Sequence, residues 1–487
     1  MSARSQGLGT RTVRGMAWAY GAYVGGRALV LVSTAILARL LTPRDFGVVA
    51  LALVFTVFLE SIKDFGLGQA LIVASPEEEK ARAQTVFAWS VVLGVGLTIV
   101  TAAISPLVAS FFHQGQLTSL LPILGLNFLL RSLGTTHYAL ARRHLNYRVR
   151  TVSEVCEVTV RGAVGIALAL SGYGAWSLVI GFVAGVAAST TALWLQVPFR
   201  PQPRLTRTHL RDLLKFGGVL TVVDVAAVVF YNIDYLFIGR VLGAASLGLY
   251  SIGFRIPELA ILNVAHVAAD VLVPAYSALG RERLREGYLA STRYLTMLTL
   301  PLAVGLATLA RPLILVVFGH QWTGSIPVTR VIAAYTLFAT LAIPPGTILK
   351  VTRRAWLLAG FSLPLVVILA VLLVIFTSEG ILAVAIATTA LQATIAPIQV
   401  WVVSRQLRLP FRASIGVVVP TVLAAGAMGG VLVAVDQLIS APVPALLVGV
   451  PLGALVYLSC LWLLARDELR TLRGMAFPGR WAPSPDA

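Results

Sequence analysis

The chain has 487 residues, 58% of them hydrophobic and only 12% charged, with a formal charge of +18 and a mean hydropathy of +0.87. That composition excludes a soluble globular protein, and no polar stretch is long enough for a soluble domain of even about 100 residues. Cys156 and Cys460 lie in apolar runs without a CxxC or Cys/His neighbour, so they read as buried small side chains, and neither metal nor redox chemistry is expected.

Crossing a hydrocarbon core takes about 20 residues at about 1.5 Å each. Apolar runs of that kind, separated by short polar stretches, predict helices over 16–40, 46–62, 83–104, 117–140, 152–170, 174–197, 216–238, 246–274, 293–317, 326–349, 355–377, 380–403, 414–435 and 443–465. The first follows Arg4, Arg11 and Arg14, is too long for a signal peptide and has no small-residue cleavage site behind it, so it is expected to be retained.

With a cytoplasmic N-terminus, 29 of the 38 Lys and Arg residues fall in inside segments, three (Arg39, Arg44, Arg240) in or beside outside loops, and six within spans. The asymmetry is the positive-inside pattern. It supports about fourteen transmembrane helices, since a missed helix would invert every later loop, and it puts both termini in the cytoplasm. Cations spread over eight separate segments suit orientation and contact with anionic membrane lipids, not nucleic acid.

A shift of 201 residues lays Ala38-Arg39-Leu40-Leu41 over Gly239-Arg240-Val241-Leu242 and Phe46-Gly47 over Leu247-Gly248 without a gap. Val13-Arg14-Gly15-Met16 and Leu214-Lys215-Phe216-Gly217 stand at similar places before each copy. The expected architecture is an all-α integral membrane protein of two pseudo-symmetric six-helix lobes, a two-lobed transporter plan. Its parts are an N-lobe (1–197), a cytoplasmic linker (198–215), a C-lobe (216–404), two further helices (405–465) and a cytoplasmic tail (466–487).

The stretch Leu41-Thr42-Pro43-Arg44-Asp45-Phe46-Gly47, with Asp64-Phe65-Gly66-Leu67-Gly68, resembles the N-terminal signature of bacterial polysaccharide transporters. These are the lipopolysaccharide and O-antigen flippases (Wzx type) of the multidrug/oligosaccharidyl-lipid/polysaccharide superfamily. Phe318-Gly319-His320-Gln321-Trp322 looks like that family's outer-loop motif after the ninth helix. The resemblance implies a multi-pass protein of the bacterial inner membrane that moves a polyprenyl-diphosphate-linked oligosaccharide from the cytoplasmic to the outer leaflet. It also implies dealings with other polysaccharide assembly proteins.

A diphosphate crossing a bilayer calls for buried cations. An intramembrane charge costs roughly 2.5–3.5 kcal/mol on insertion scales, so its retention points to function or pairing. Six arginines qualify: Arg27, Arg131, Arg161, Arg255, Arg311 and Arg330. Arg27 shares a helix face with Tyr20, Tyr23 and Thr34; Asn127, Arg131 and Thr135 form a stripe at every fourth residue of the fourth span. On the fifth span Glu154 and Glu157 precede Arg161 at spacings that let both carboxylates neutralise it. Arg255 and Glu258 stand one turn apart on the eighth, and Asp224 and Asp234 lie on the seventh beside Tyr231 and Asn232. A carboxylate there either holds a coupling ion, H+ or Na+, or pairs with Arg255. Arg311 and Arg330 fall near outer helix ends and read as interface anchors; Glu60 and Asp270 lie toward inner ends, where solvent contact is the default. A guanidinium suits phosphate through its bidentate fork, yet the chain holds 34 Arg to four Lys, so composition explains the choice equally well.

Prolines within or at the ends of spans, among them Pro257, Pro274, Pro301, Pro364 and Pro397, kink helices and release backbone carbonyls. Such bends serve alternating access or simple packing. No Walker loop, HExxH or GxSxG is present, so no enzyme, cofactor or direct ATP drive is expected. Three other readings stand beside the flippase: a multidrug extruder of the same superfamily, a peptidoglycan-precursor flippase, and a membrane polymerase or glycosyltransferase. The last would be expected to carry a large outer loop, and the predicted ones are a dozen residues or fewer.

Overall fold

Inside a hydrocarbon layer a backbone has no water to bond, so a span satisfies its own N–H and C=O groups as helix. The structure, a computed structural model, describes residues 25–63, 71, 79–144, 146–202, 225, 228–352 and 354–466, and among these it holds helices and no strand. Tyr20, Tyr23, Asp224, the motif Asp64–Gly68 and most of the predicted linker lie outside the described residues.

Tertiary contacts divide the chain into two compact units. The first takes in the described residues up to Ser251 together with Phe361–Val384. It contains α1 (25–40), α2 (Pro43–Lys63), α3 (Glu79–Phe111), α4 (Leu117–Arg143), α5 (Tyr147–Leu170), α6 (Ala175–Gln196), α7 (228–241) and the first half of α8 (Gly243–Pro257). The second holds the rest of α8, a π turn (Glu258–Leu262), α9 (Asn263–Ala278), α10 (Arg281–Thr308), α11 (Ala310–Val317), α12 (Ser325–Leu341) and α13 (Ile343–Val351). After α14 (Ala355–Phe376) and α15 (Ile381–Gln406), which straddle the division, come α16 (Phe411–Gly416), α17 (Val419–Leu438) and α18 (Pro442–Leu464). Nine described helices, counting α8 through α9, α12 through α13 and α16 through α17 as continuous, are long and apolar enough to cross a membrane.

In the first unit α3 packs on α4, α5 on α6, and α4 on α6. Lipid-embedded helices gain little from burying leucine against leucine, so close contact comes from small residues and interhelical hydrogen bonds. Gly181 and Gly185 of α6 supply the first: a Cβ on Gly181 would stand 2.8 Å from the Arg161 carbonyl oxygen, and one on Gly185 2.7 Å from that of Glu157. Thr98 donates to the Gly125 carbonyl (2.9 Å), Thr190 to that of Leu130 (3.0 Å) and Trp194 Nε1 to that of Leu133 (2.9 Å). At one end Arg143 of α4 meets Glu79 of α3 (2.8 Å) and donates to the Leu71 carbonyl (2.9 Å).

In the second unit α10 is central, packed on α12 and α17, with α17 on α18 and α9 on α13. Met297, Leu300, Leu309, Ala424, Ala425, Met428, Leu432 and Tyr457 form its core.

Prolines within these helices leave carbonyls four residues back without an N–H partner, and polar side chains take those places. Ser105 lies 2.9 Å from the Ala102 carbonyl, freed by Pro106, and 3.1 Å from the Thr118 carbonyl, freed by Pro122 of the next helix. Its single proton serves one of them at a time. The Met297 carbonyl, freed by Pro301, receives the buried Tyr457 hydroxyl of α18 at 2.7 Å. Replacing Tyr457 with Phe is expected to cost about 1 kcal/mol, read as a lower melting midpoint in detergent. The same change in a Pro301→Ala background costs less, because residue 301 then regains its own N–H.

Candidate functional site

The site is built from the turn outward. Thr42 starts α2: its hydroxyl donates to the Asp45 carboxylate at 2.6 Å, its N–H donates to the same oxygen at 3.0 Å, and the Asp45 N–H donates back to the hydroxyl at 3.3 Å. This is a reciprocal capping box with Asp in the acidic position and Pro43 at the first helical residue, where a missing N–H costs nothing. Gly47 follows because there is no room for more: a Cβ on it would overlap the Ala244 carbonyl oxygen, and a Cβ on Gly248 would overlap that of Pro43. Each contact is the other displaced by 201 residues, so the starts of α2 and α8 cross about a local two-fold axis. Two more turns gather here. The Asp45 carboxylate lies 3.2 Å from where a Gly174 Cβ would be, and Arg240 donates to His113 Nδ1 at 3.0 Å while lying over the Phe111 ring.

Down the helices from this crossing sits a charged cluster. Arg131 of α4 meets Glu157 of α5 at 3.0 Å through Nη2 and Glu60 of α2 at 3.5 Å through Nε, which also donates to Asn127 Oδ1 at 3.0 Å. Their side chains are 35%, 21% and 30% exposed for Arg131, Glu157 and Glu60, a partly sheltered group of one guanidinium and two carboxylates. Thr135 donates to the Arg131 carbonyl (2.9 Å), so the predicted stripe is present and satisfied locally.

The structure rearranges the expected pairings. Glu157 reaches across to Arg131, Glu154 pairs with Arg150 (2.7 Å), and Arg161 lies over the Phe182 ring (4.6 Å). Glu60, expected at solvent, belongs to the cluster; one sequence could not pair α2 with α4, and only its position in a span hinted at a role. Arg255 does meet Glu258 one turn on, at 3.3 Å, where the helix widens into the π turn and Asn263 donates to the Glu258 carbonyl at 3.2 Å. Asp234 is buried, taking the Tyr250 hydroxyl at 2.6 Å and the Tyr235 N–H at 2.9 Å. Arg27, Arg311 and Arg330 are exposed. No group of three metal-ligating side chains occurs among the described residues.

Residues 36–327 match the model of a family described as "Polysaccharide biosynthesis protein". The chain belongs to this family. The matched segment runs from the crossing through the Arg131 cluster and the π turn. Among curated relatives, the "Succinoglycan biosynthesis transport protein ExoT" of Rhizobium meliloti (strain 1021) is 27% identical over 66% of this chain, and the match spans 65% of that protein, just under two thirds. The "Teichuronic acid biosynthesis protein TuaB" of Bacillus subtilis (strain 168) is 25% identical over 67% of this chain and 68% of its own length. The "Lipopolysaccharide biosynthesis protein WzxC" of Escherichia coli (strain K12) is 24% identical over 71% of each. Among solved structures, the lipid II flippase MurJ in an inward closed conformation shares the fold, with a TM-score of 0.77 and 16% identity over 93% of this chain and all of that one. An inward-facing multidrug resistance transporter of the MATE family and MOP superfamily matches at 0.61, with 16% identity over 78% of this chain and 94% of that one. Family and apolar helices together make this a multi-pass inner-membrane protein, and its fold is the one seen in transporters of the MOP superfamily.

The crossing makes a direct prediction for this family member. Gly248→Ala forces α8 off α2 and is expected to destabilise the chain by at least about 2 kcal/mol, seen as a lower melting midpoint in detergent. Ala at the roomy Gly346 leaves the midpoint in place.

Proposed function

We propose that the chain is a flippase that moves a polyprenyl-diphosphate-linked oligosaccharide from the cytoplasmic to the outer leaflet by alternating access, using a cationic cavity to carry the diphosphate. The observation that carries this reading is the family match over 36–327, the segment that holds Arg131, Arg161 and Arg255. The fold it shares with the lipid II flippase MurJ supports it. In the full reading about fourteen spans form two lobes of six helices and a C-terminal pair, both termini are cytoplasmic, and Arg27, Arg131, Arg161 and Arg255 with Asn127 face the substrate. In this reading Tyr20 and Tyr23, at helical spacing from Arg27 in the sequence, also contact the substrate. Asp224, Asp234, Glu154, Glu157 and Glu258 pair charges or couple the cycle to H+ or Na+. Other polysaccharide assembly proteins supply the substrate and receive it.

A second reading is favoured by one feature. The cluster around Arg131 carries two carboxylates to one guanidinium, an excess of negative charge that would suit a cation, and the fold is also that of a multidrug transporter. A drug extruder would move a lipophilic cation dye, whereas the flippase would not.

Both readings are separated in proteoliposomes loaded with a polyprenyl-diphosphate sugar. Wild type is expected to flip it, with Arg27→Ala and Arg255→Ala each roughly tenfold slower, the scale of one lost charge-assisted hydrogen bond. Equal rates in all three would remove the cationic cavity from the mechanism. Dye transport without lipid flipping would replace the flippase by the extruder.

A further inference from the structure

We infer that Glu157 and Glu60 set the affinity of the Arg131 site, holding the guanidinium while the site is empty and competing with an anionic group for it when one enters. The inference rests on the flippase reading and assigns a job to two carboxylates that a phosphate carrier has no obvious use for.

A guanidinium has five N–H donors and no acceptor. At Arg131 the Nε–H donates to Asn127 Oδ1 at 3.0 Å, a Glu60 oxygen stands 3.5 Å from the same nitrogen as an ion pair, and one Nη2 hydrogen goes to Glu157 at 3.0 Å. Among the described residues no acceptor takes the Nη1 hydrogens, and the side chain is 35% exposed. An anion therefore has an open edge of the fork to approach. It meets a cation already matched by two negative charges, and a diphosphate that also takes the Nε/Nη2 edge of the fork must draw Arg131 from Glu157 and Glu60.

The exchange has a cost that works in both directions. Glu157 and Glu60 are 21% and 30% exposed, so losing their partner leaves two like charges that water screens only in part. That penalty weakens anion binding and is recovered when the anion leaves and the pairs re-form. Arg131 alone would bind a diphosphate tightly and release it slowly; with two competing carboxylates it binds less tightly and turns over. Because the three charged side chains come from α2, α4 and α5, the exchange also alters how α4 is tied to both neighbours. Glu379, an exposed carboxylate with no part in the cluster, serves as the control.

The test uses the full chain in detergent and in proteoliposomes. Geranylgeranyl diphosphate is titrated into wild type, Glu157→Gln, Glu60→Gln, Glu379→Gln and Arg131→Ala. Glu157→Gln is expected to bind the probe about fivefold more tightly, Glu60→Gln less so given its longer contact, Glu379→Gln like wild type, and Arg131→Ala more weakly. For flipping of a polyprenyl-diphosphate sugar, Glu157→Gln lowers KM and kcat together, as slow release requires. A merely structural role for the pair would lower kcat and leave KM unchanged or raised. The two readings fail separately. Wild type that binds the probe without flipping lipid-linked sugar overturns the flippase reading and leaves the affinity shift measurable. Wild type that flips, with the same probe affinity in Glu157→Gln and Glu60→Gln, overturns the role of the carboxylates.

Discussion

The constraint on which the first unit depends is the absence of two side chains. Pro43 and Gly47 at the start of α2 meet Ala244 and Gly248 at the start of α8 so closely that a single Cβ on either glycine would overlap the opposing backbone oxygen. Such a contact has the form of an isologous interface, in which the same patch serves both sides, here formed within one chain by two copies of a repeat. Each copy thereby fixes the other's residue, and the offset of 201 becomes a physical axis. The copies reach their turns by different chemistry: Thr42 and Asp45 build a capping box in the first, while Gly243 adopts φ +81 in the second. Symmetry is demanded where backbones touch and relaxed one residue away.

The same economy governs the prolines. In water a freed carbonyl would be hydrated; in lipid it needs a protein donor. Ser105 stands between the carbonyls released by Pro106 and Pro122, and Tyr457 fills the place that Pro301 vacates. The second case joins α18 to the kink of α10, so a bend in one helix becomes the docking point of another. The C-terminal pair is thus secured by a polar bond at a defined height of α10 as well as by the apolar contacts of Met428, Leu432 and Leu461.

How far the sequence could be read follows from the range of each interaction. Span positions rest on local composition, and every described helix falls within or beside a predicted one. The repeat was visible where identity is enforced by contact, at Gly47 and Gly248. Farther on it is disguised by an offset of 206 instead of 201: Phe112 and Phe318 are both buried, His113 and Gly319 both take positive φ, and so do Gly174 and Gly380. That match lies in the positive sign of φ, reached at +52 by His113 and at +100 by Gly319, so residue identity hides it. Neighbours on one helix were also legible, as Arg255 with Glu258 shows. Pairings between helices were not, because spacing along α5 says nothing about α4 at its side; Glu157 therefore looked like a partner for Arg161, and Glu60 looked solvent-bound.

The electrostatics of the first unit then follow from its packing. Gly181 and Gly185 let α6 press against the backbone of α5 at Glu157 and Arg161, which fixes the rotation of α5 about its own axis. That rotation carries Glu157 toward α4 and places Arg161 against Phe182 of α6. Two glycines with no charge of their own therefore decide which cation is paired with a carboxylate and which stacks on a ring. An intramembrane arginine count describes the stock of charge; the small residues of the neighbouring helix determine how much of it is left for a ligand.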